Sequence, residues 1–199
     1  MLTVVLIVAT IAISWLAFER PRLLDRLILW PPAVGRGQVD RLVTHGFIHA
    51  DWPHLLFNMI TLYFFGRAAE RVISGIIGPV GYVLFYVSAI VIAILPSYLR
   101  HRRDARYRSL GASGAVSAVL FATILLDPWM LIFIPIPVPA ILYGIGYVAY
   151  SFWMDRNGSD NTNHNAHLSG AIYGLLFMLL MDARVAQHFL RQLASPSFL

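Results

Sequence analysis

The sequence predicts an all-α polytopic membrane protein, a six-transmembrane-helix bundle forming one domain over residues 1–199. Three observations predict it. Hydrophobic residues make up 58% of the chain and charged residues 13%, against about 45–50% and roughly 25% in soluble domains. Six apolar stretches have about the 17–25 residues that a helix needs to cross hydrocarbon. No stretch shows the strict alternation of a barrel strand, and no solenoid repeat is visible.

The predicted spans are 2–18, 53–71, 76–97, 111–127, 137–154 and 166–182. The first lacks a basic leader and runs into Glu19-Arg20-Pro21-Arg22, not into a small-residue cleavage site, so it reads as a retained span. The connection 19–52 mixes arginines with Trp30-Pro31-Pro32 and apolar Leu42, Val43, Phe47 and Ile48. That mixture predicts an interfacial segment, with Trp30 and Trp52 at headgroup depth. The connection from Arg100 to Arg108 is strongly basic. The polar run Asp155 to Asn165 contains Asn157-Gly158, a turn signal, and is the most flexible-looking piece of the chain. A short polar tail is expected after Met181.

The chain has no cysteine, which excludes disulfides, thiol catalysis and thiolate metal sites. Its net charge of +5 comes from arginine alone, since lysine is absent. The arginines flank apolar runs, so the lipid bilayer is the expected partner and nucleic acid is not.

Six spans put the first, third and fifth connections on one side of the membrane. Spans two, four and six all begin there. Their first turns hold His54-Leu55-Leu56-Phe57-Asn58, Gly111-Ala112-Ser113-Gly114 and Ala166-His167-Leu168-Ser169-Gly170. At about 1.5 Å of rise per residue, the three motifs reach similar depths. His54 and Asn58, four apart, share a helix face. His167, Gly170 and Gly174 share another, and glycines there allow very close helix approach. A hydroxyl, an imidazole and nearby donors are the equipment of nucleophilic acyl transfer. The N–H of Ser113, in the first turn of its helix, is free to point at an oxyanion. Each motif alone is more often plain packing. Two histidines placed in spans raise the functional reading, because such groups are costly there.

Other candidates carry less. His45, His49 and His54 could supply part of a metal site, but no His-Glu-x-x-His pattern is present, and neither metal nor cofactor is expected. Asp51, Asp160 and Asp182 read as solvated span ends, so no carboxylate is placed to orient His167 and a Ser-His dyad is expected. Glu70 reads as a cap or backbone partner at the opposite membrane face.

Together the three motifs resemble the rhomboid intramembrane serine proteases, over nearly the whole chain and in the minimal six-helix bacterial form. The resemblance implies that Ser113 is the nucleophile and His167 the general base. It assigns His54 and Asn58, with the Ser113 N–H, to the oxyanion hole. His45, His49, Gly111, Gly114, Gly170 and Gly174 become supporting residues, with His45 near a water-retention site and Gly66 and Glu70 stabilising the far end of helix two. It further implies membrane-protein substrates with a transmembrane helix, no cofactor and a bacterial inner membrane. A catalytically inactive, rhomboid-like membrane chaperone is the alternative, although such relatives usually lose the serine or the histidine.

Three departures from the family pattern stand out. Asp40-Arg41 replaces a common Trp-Arg. Ser117 stands where some members place a tyrosine that stacks on the base. The connections one, three and five hold 11 of 15 arginines (20, 22, 26, 36, 41, 100, 102, 103, 106, 108 and 156). The positive-inside rule would turn those connections to the cytoplasm, whereas the resemblance opens the site to the outside.

Overall fold

A computed structural model describes residues 1–134, 136–158, 160 and 162–195. Ser159 and Asn161 of the 155–165 connection, and residues 196–199 of the tail, lie outside the described residues. The chain is mostly helical. The helix α1 (Leu2–Glu19) is followed by three short helices, α2 (Pro21–Leu27), α3 (Pro31–Val34) and α4 (Arg41–Thr44), and a 3-10 turn at His45–Phe47. Then come α5 (Trp52–His101), α6 (Ser113–Leu126), a hairpin of β1 (Leu131–Ile134) and β2 (Ile136–Pro139), α7 (Ala140–Asn157), α8 (His164–Met181) and α9 (Arg184–Ala194). By length and apolarity α1 and α5 can each cross a membrane, and a third span arises if α8 and α9, bent by 112°, count together. The apolar α6 is shorter.

The 50-residue α5 is not one straight rod. Gly78 breaks it with φ 79° and ψ 168°, a conformation that side chains forbid. Pro79 follows, with no N–H to continue the helical ladder. The break separates 52–77 from 79–101, which corrects the predicted boundary. It falls inside the predicted third span, 76–97, and not in the expected gap at 72–75, because Gly78 and Pro79 interrupt the helix there.

At the centre lies α6, with every residue from Gly114 to Leu125 buried. A helix that is apolar all round belongs inside a bundle. It packs on α5, α7 and α8. The seam with α8 is backbone against backbone. A Cβ built on Gly170 would lie 2.0 Å from the Gly114 carbonyl oxygen, and one on Gly174 would lie 2.1 Å from that of Ala118. By contrast α7 is peripheral, burying only Ala140, Gly144 and Ser151.

Glu70 holds the far end. Its two carboxylate oxygens accept from the N–H groups of Leu2, at 2.7 Å, and Thr3, at 2.9 Å. They satisfy amides that begin α1 and have no helical acceptor. A Cβ on Gly66 would meet the Thr3 methyl at 2.8 Å, so a larger residue at this corner would force its side-chain neighbours to shift.

Several sequence-based expectations are corrected. The helix of the predicted fourth span begins at Ser113, not at 111, because Gly111 has φ +117° and is not helical. The helix of the predicted fifth span begins at Ala140, not at 137, because Leu131–Ile134 and Ile136–Pro139 pair as antiparallel strands. Pro137 and Pro139 lack the N–H groups that a helix interior needs. The tail is not merely polar. Over Arg184–Ala194 it forms α9, with Val185 buried and Phe189 packed on the core. There Trp129 Nε1–H donates to the Gln192 carbonyl at 2.8 Å, and His188 Nε2–H donates to that of Leu126 at 2.7 Å. Not all the arginines serve as free headgroup contacts. Arg108 and Arg36 lie over the Trp30 ring, at 4.4 and 5.0 Å, and Trp30 donates to the Ala105 carbonyl at 3.0 Å. The first and third connections are thereby tied together. Arg41 is buried and donates to the Asp25 and Ile28 carbonyls, both at 2.7 Å.

Candidate active site

The segment before Ser113 is pinned from the first connection. The Gly111 N–H donates to the His45 carbonyl at 2.9 Å. The Ala112 N–H donates to His49 Nε2 at 3.3 Å. With Nε2 an acceptor, the proton of the neutral ring sits on Nδ1, which reaches Ser14 Oγ at 3.0 Å. The Ser14 hydroxyl in turn donates a hydrogen bond to the Phe47 carbonyl, at 3.1 Å. The arrangement needs an uncharged ring, and burial pushes the His49 pKa down to about 3, with His54 nearby adding to the effect. Burial likewise lowers His45 to about 4, and its Nδ1–H donates to the Arg41 carbonyl at 3.0 Å.

Asp51 caps α5, accepting from the His54 N–H at 2.7 Å, and so is a structural cap rather than only a solvated end. One turn on, Asn58 Nδ2 donates to the His54 carbonyl at 2.9 Å. That bond uses one of the two amide hydrogens and leaves the other. The His54 ring stands edge-on to His49, with centroids 4.9 Å apart. It also covers Gly111, where an added Cβ would lie 2.8 Å from its Cε1. Glycine is therefore favoured at 111 by its φ of +117°, and a side chain there would also have to displace the His54 ring.

Ser113 opens α6 and His167 lies in the first turn of α8. Both line one cleft of about 1080 Å³ together with Asp51, His54, Asn58 and His164. Ser113, His54 and His167 are half-buried, and Asn58 is buried. No hydrogen bond joins Ser113 Oγ to His167 in this resting structure. A second cavity, of about 10 Å³, lies between His45, Ser113, Gly114 and Asn163. That volume is close to the minimum for a single water.

Three features were missed from the sequence. Asn163 caps α8 and uses its whole amide. Its Oδ1 accepts from the Ala166 N–H at 3.0 Å and Ser97 Oγ at 2.9 Å. Its Nδ2 donates to Tyr107 Oη at 2.9 Å and Ser109 Oγ at 3.2 Å. An Asn just before an apolar helix was a readable N-cap signal. His164, also unremarked, is buried beside His167, the two rings edge-on with centroids 5.7 Å apart. Asp160 is not simply solvated, since both its oxygens lie 3.2 Å from His164 Nε2. It contacts His164 and not His167. Lastly, Tyr147 of α7 stacks on His167, with centroids 5.8 Å apart and planes 26° apart. Tyr143, Tyr147 and Tyr150, at i, i+4 and i+7, formed a stripe that could have flagged it.

Fold and site together define a helical membrane protein with a serine and a histidine facing one polar cleft. A family model described as Rhomboid domain matches residues 36–184. The chain is 30% identical over 178 residues to the mitochondrial RHOMBOID-like protein 12 of Arabidopsis thaliana, covering 82% of this chain and 52% of that one. It is 32% identical over 159 residues to the chloroplastic Rhomboid-like protein 11 of the same plant, covering 71% and 52%. It is 28% identical over 163 residues to the rhomboid protease GlpG of Salmonella paratyphi A, covering 79% and 55%. The chain belongs to the rhomboid family and is an integral membrane protein. It spans about half the length of these curated relatives.

Proposed function

We propose that this protein is an intramembrane serine endopeptidase, a single six-span domain that cleaves peptide bonds in or near transmembrane helices of other membrane proteins. The observation that carries the proposal is the backbone seam of Gly170 on Gly114, which brings the α6 and α8 starts, and so Ser113 and His167, to one cleft. In the proposed reaction His167 takes the Ser113 proton as Oγ attacks the scissile carbonyl carbon. The oxyanion is met by the Ser113 N–H, a His54 ring N–H and the spare Asn58 N–H. Collapse expels the amine, which takes the proton back from His167, and water then frees the acyl group. The small cavity beside His45 suits that water. A helix conceals its carbonyls, so substrates with glycine, proline or other helix-weakening residues near the scissile bond are favoured. Entry is sideways, past α7 and the 155–165 connection. The alternative of an inactive membrane chaperone draws on the missing Ser113–His167 hydrogen bond, but such bonds are often loose before substrate binds. A fluorophosphonate that labels wild type and spares Ser113→Ala supports the peptidase. A folded wild type that never labels rejects it.

The oxyanion assignment has its own test. Removing one such donor costs about 10²–10³ in turnover, less where three donors share the charge. Asn58→Ala is expected to lower kcat with little change in KM, and His54→Ala to do so more strongly. Both variants should still label with a fluorophosphonate, more slowly. Cleavage at wild-type rates in both would leave the hole to backbone amides alone.

We further propose a bacterial inner membrane with the cleft facing outward. A cysteine introduced as Asp104→Cys has no native cysteine to compete with. It is expected to react with a membrane-impermeant thiol reagent added to intact cells. Labelling only after lysis would show that the arginine bias governs and that the cleft faces the cytoplasm.

A further inference from the structure

A general base must hold its ring in one plane if its nitrogen is to meet the serine. In His167 nothing polar does this: no carboxylate touches the ring, and none of its hydrogen bonds is seen among the described residues. Its broad face instead lies along Tyr147, 5.8 Å away and 26° from parallel. The edge-on ring of His164 is 5.7 Å away, inclined by 78°. Tyr147 is itself anchored, since its hydroxyl is hydrogen-bonded to Ser117 Oγ. Ser117 is buried in α6 one turn beyond Ser113, on the same face. Phe121, a further turn along, packs on the Tyr147 ring at 5.8 Å.

We propose that Tyr147 is a positioning residue for His167, held in place by Ser117. The inference rests on the peptidase reading above. One helix thus carries both the nucleophile and the anchor that, through a ring on α7, sets the plane of the base on α8. Ser117 does not leave the base unsupported, because the aromatic group comes from another helix and the serine supplies its hydrogen bond. Tyr147 sits on the most weakly buried of the long helices, so the segment a substrate must pass is also the segment that aligns the base. Displacing α7 outward would release His167, and productive chemistry requires that α7 close again over the bound segment.

The test compares Tyr147→Phe, which keeps the ring, with Tyr147→Leu, which removes it. Cleavage of a reconstituted model transmembrane substrate is followed for kcat and KM, with fluorophosphonate labelling and melting in parallel. The probe is small and needs no sideways entry. Misplacing a reacting group by about 1 Å costs up to roughly 10²-fold, so Tyr147→Leu is expected to lose about 10–10²-fold in kcat and in labelling rate, with KM nearly unchanged. Tyr147→Phe keeps the ring but loses the Ser117 hydrogen bond, so it should lose less of both than Tyr147→Leu and more than none. Labelling of Tyr147→Leu at the wild-type rate, or a loss confined to KM, overturns the proposal. Wild-type inactivity beside Ser113→Ala would instead defeat the peptidase reading. The stack stays testable even then through the ring-current shift of the His167 imidazole protons, expected to vanish in Tyr147→Leu and persist in Tyr147→Phe. Its persistence in Tyr147→Leu overturns the proposal.

Discussion

Ser113→Ala, His167→Ala and the double variant are expected to lose cleavage of a transmembrane substrate to the same residual level, while each remains folded in detergent. Groups that act as one unit give losses that do not add. Without the imidazole, the Ser113 hydroxyl is a weak nucleophile. Without the hydroxyl, His167 has no proton to take. Ser113 and His167 are half-buried in an open cleft, and no hydrogen bond of the fold is seen to depend on either side chain. Melting should therefore change little. A gel assay of the reconstituted substrate with all three variants is sufficient. Cleavage retained in pure Ser113→Ala would end the serine mechanism. A double variant far slower than either single one would mean that the two residues act separately.

The second large effect is expected from Gly170→Val. A bare Cβ at 170 already falls 2.0 Å from the Gly114 oxygen, so α6 and α8 must separate by roughly 1 Å or more before normal contact returns. Overpacking of this kind costs about 1–3 kcal/mol and occasionally more. The obstacle here is main chain, which cannot swing aside as a flexible side chain could. Even Gly170→Ala should destabilise, because the gain of about 1 kcal/mol in helix propensity is smaller than that penalty. Gly146→Ala is the control, since nothing lies within 4 Å of its Cβ position. It should melt at or slightly above the wild-type temperature. Gly170→Val should melt lower and lose cleavage. A Gly170→Val protein with wild-type melting and cleavage would show that the dyad does not depend on this seam.

What could be read from the sequence followed from what a bilayer demands. Long apolar runs were visible because lipid tolerates little else, and the motif residues stood out as polar exceptions at their starts. The capping role of Glu70 was readable for the same reason, whereas the break at Gly78 was not, because the residues around it are as apolar as a span. The hairpin was hidden because its residues are as apolar as a span, and only its prolines at 137 and 139 betray it. Helix α9 was hidden for the opposite reason. Its buried side, Val185 and Phe189, is diluted by polar neighbours. Trp30 looked like a headgroup anchor, yet its arginine partners come from residues as far away as Arg108. Tyr147 and His164 gain their meaning from α7 and α8 lying side by side. That contact is tertiary: the tyrosine stripe on α7 could flag a packed face, but not the ring it meets.

The glycine seam also divides α8 by how much information each position carries. Ile172, Leu176 and Leu180 face outward, and there almost any apolar residue transmits the same message: stay in lipid. Gly170 and Gly174 transmit a distance. At these two positions main chain meets main chain, so no rotamer has to be frozen and no side chain can swing aside to admit a substitution. The spacing between the starts of α6 and α8, and so between Ser113 and His167, is written in the radii of main-chain atoms, at two letters of an eighteen-residue helix.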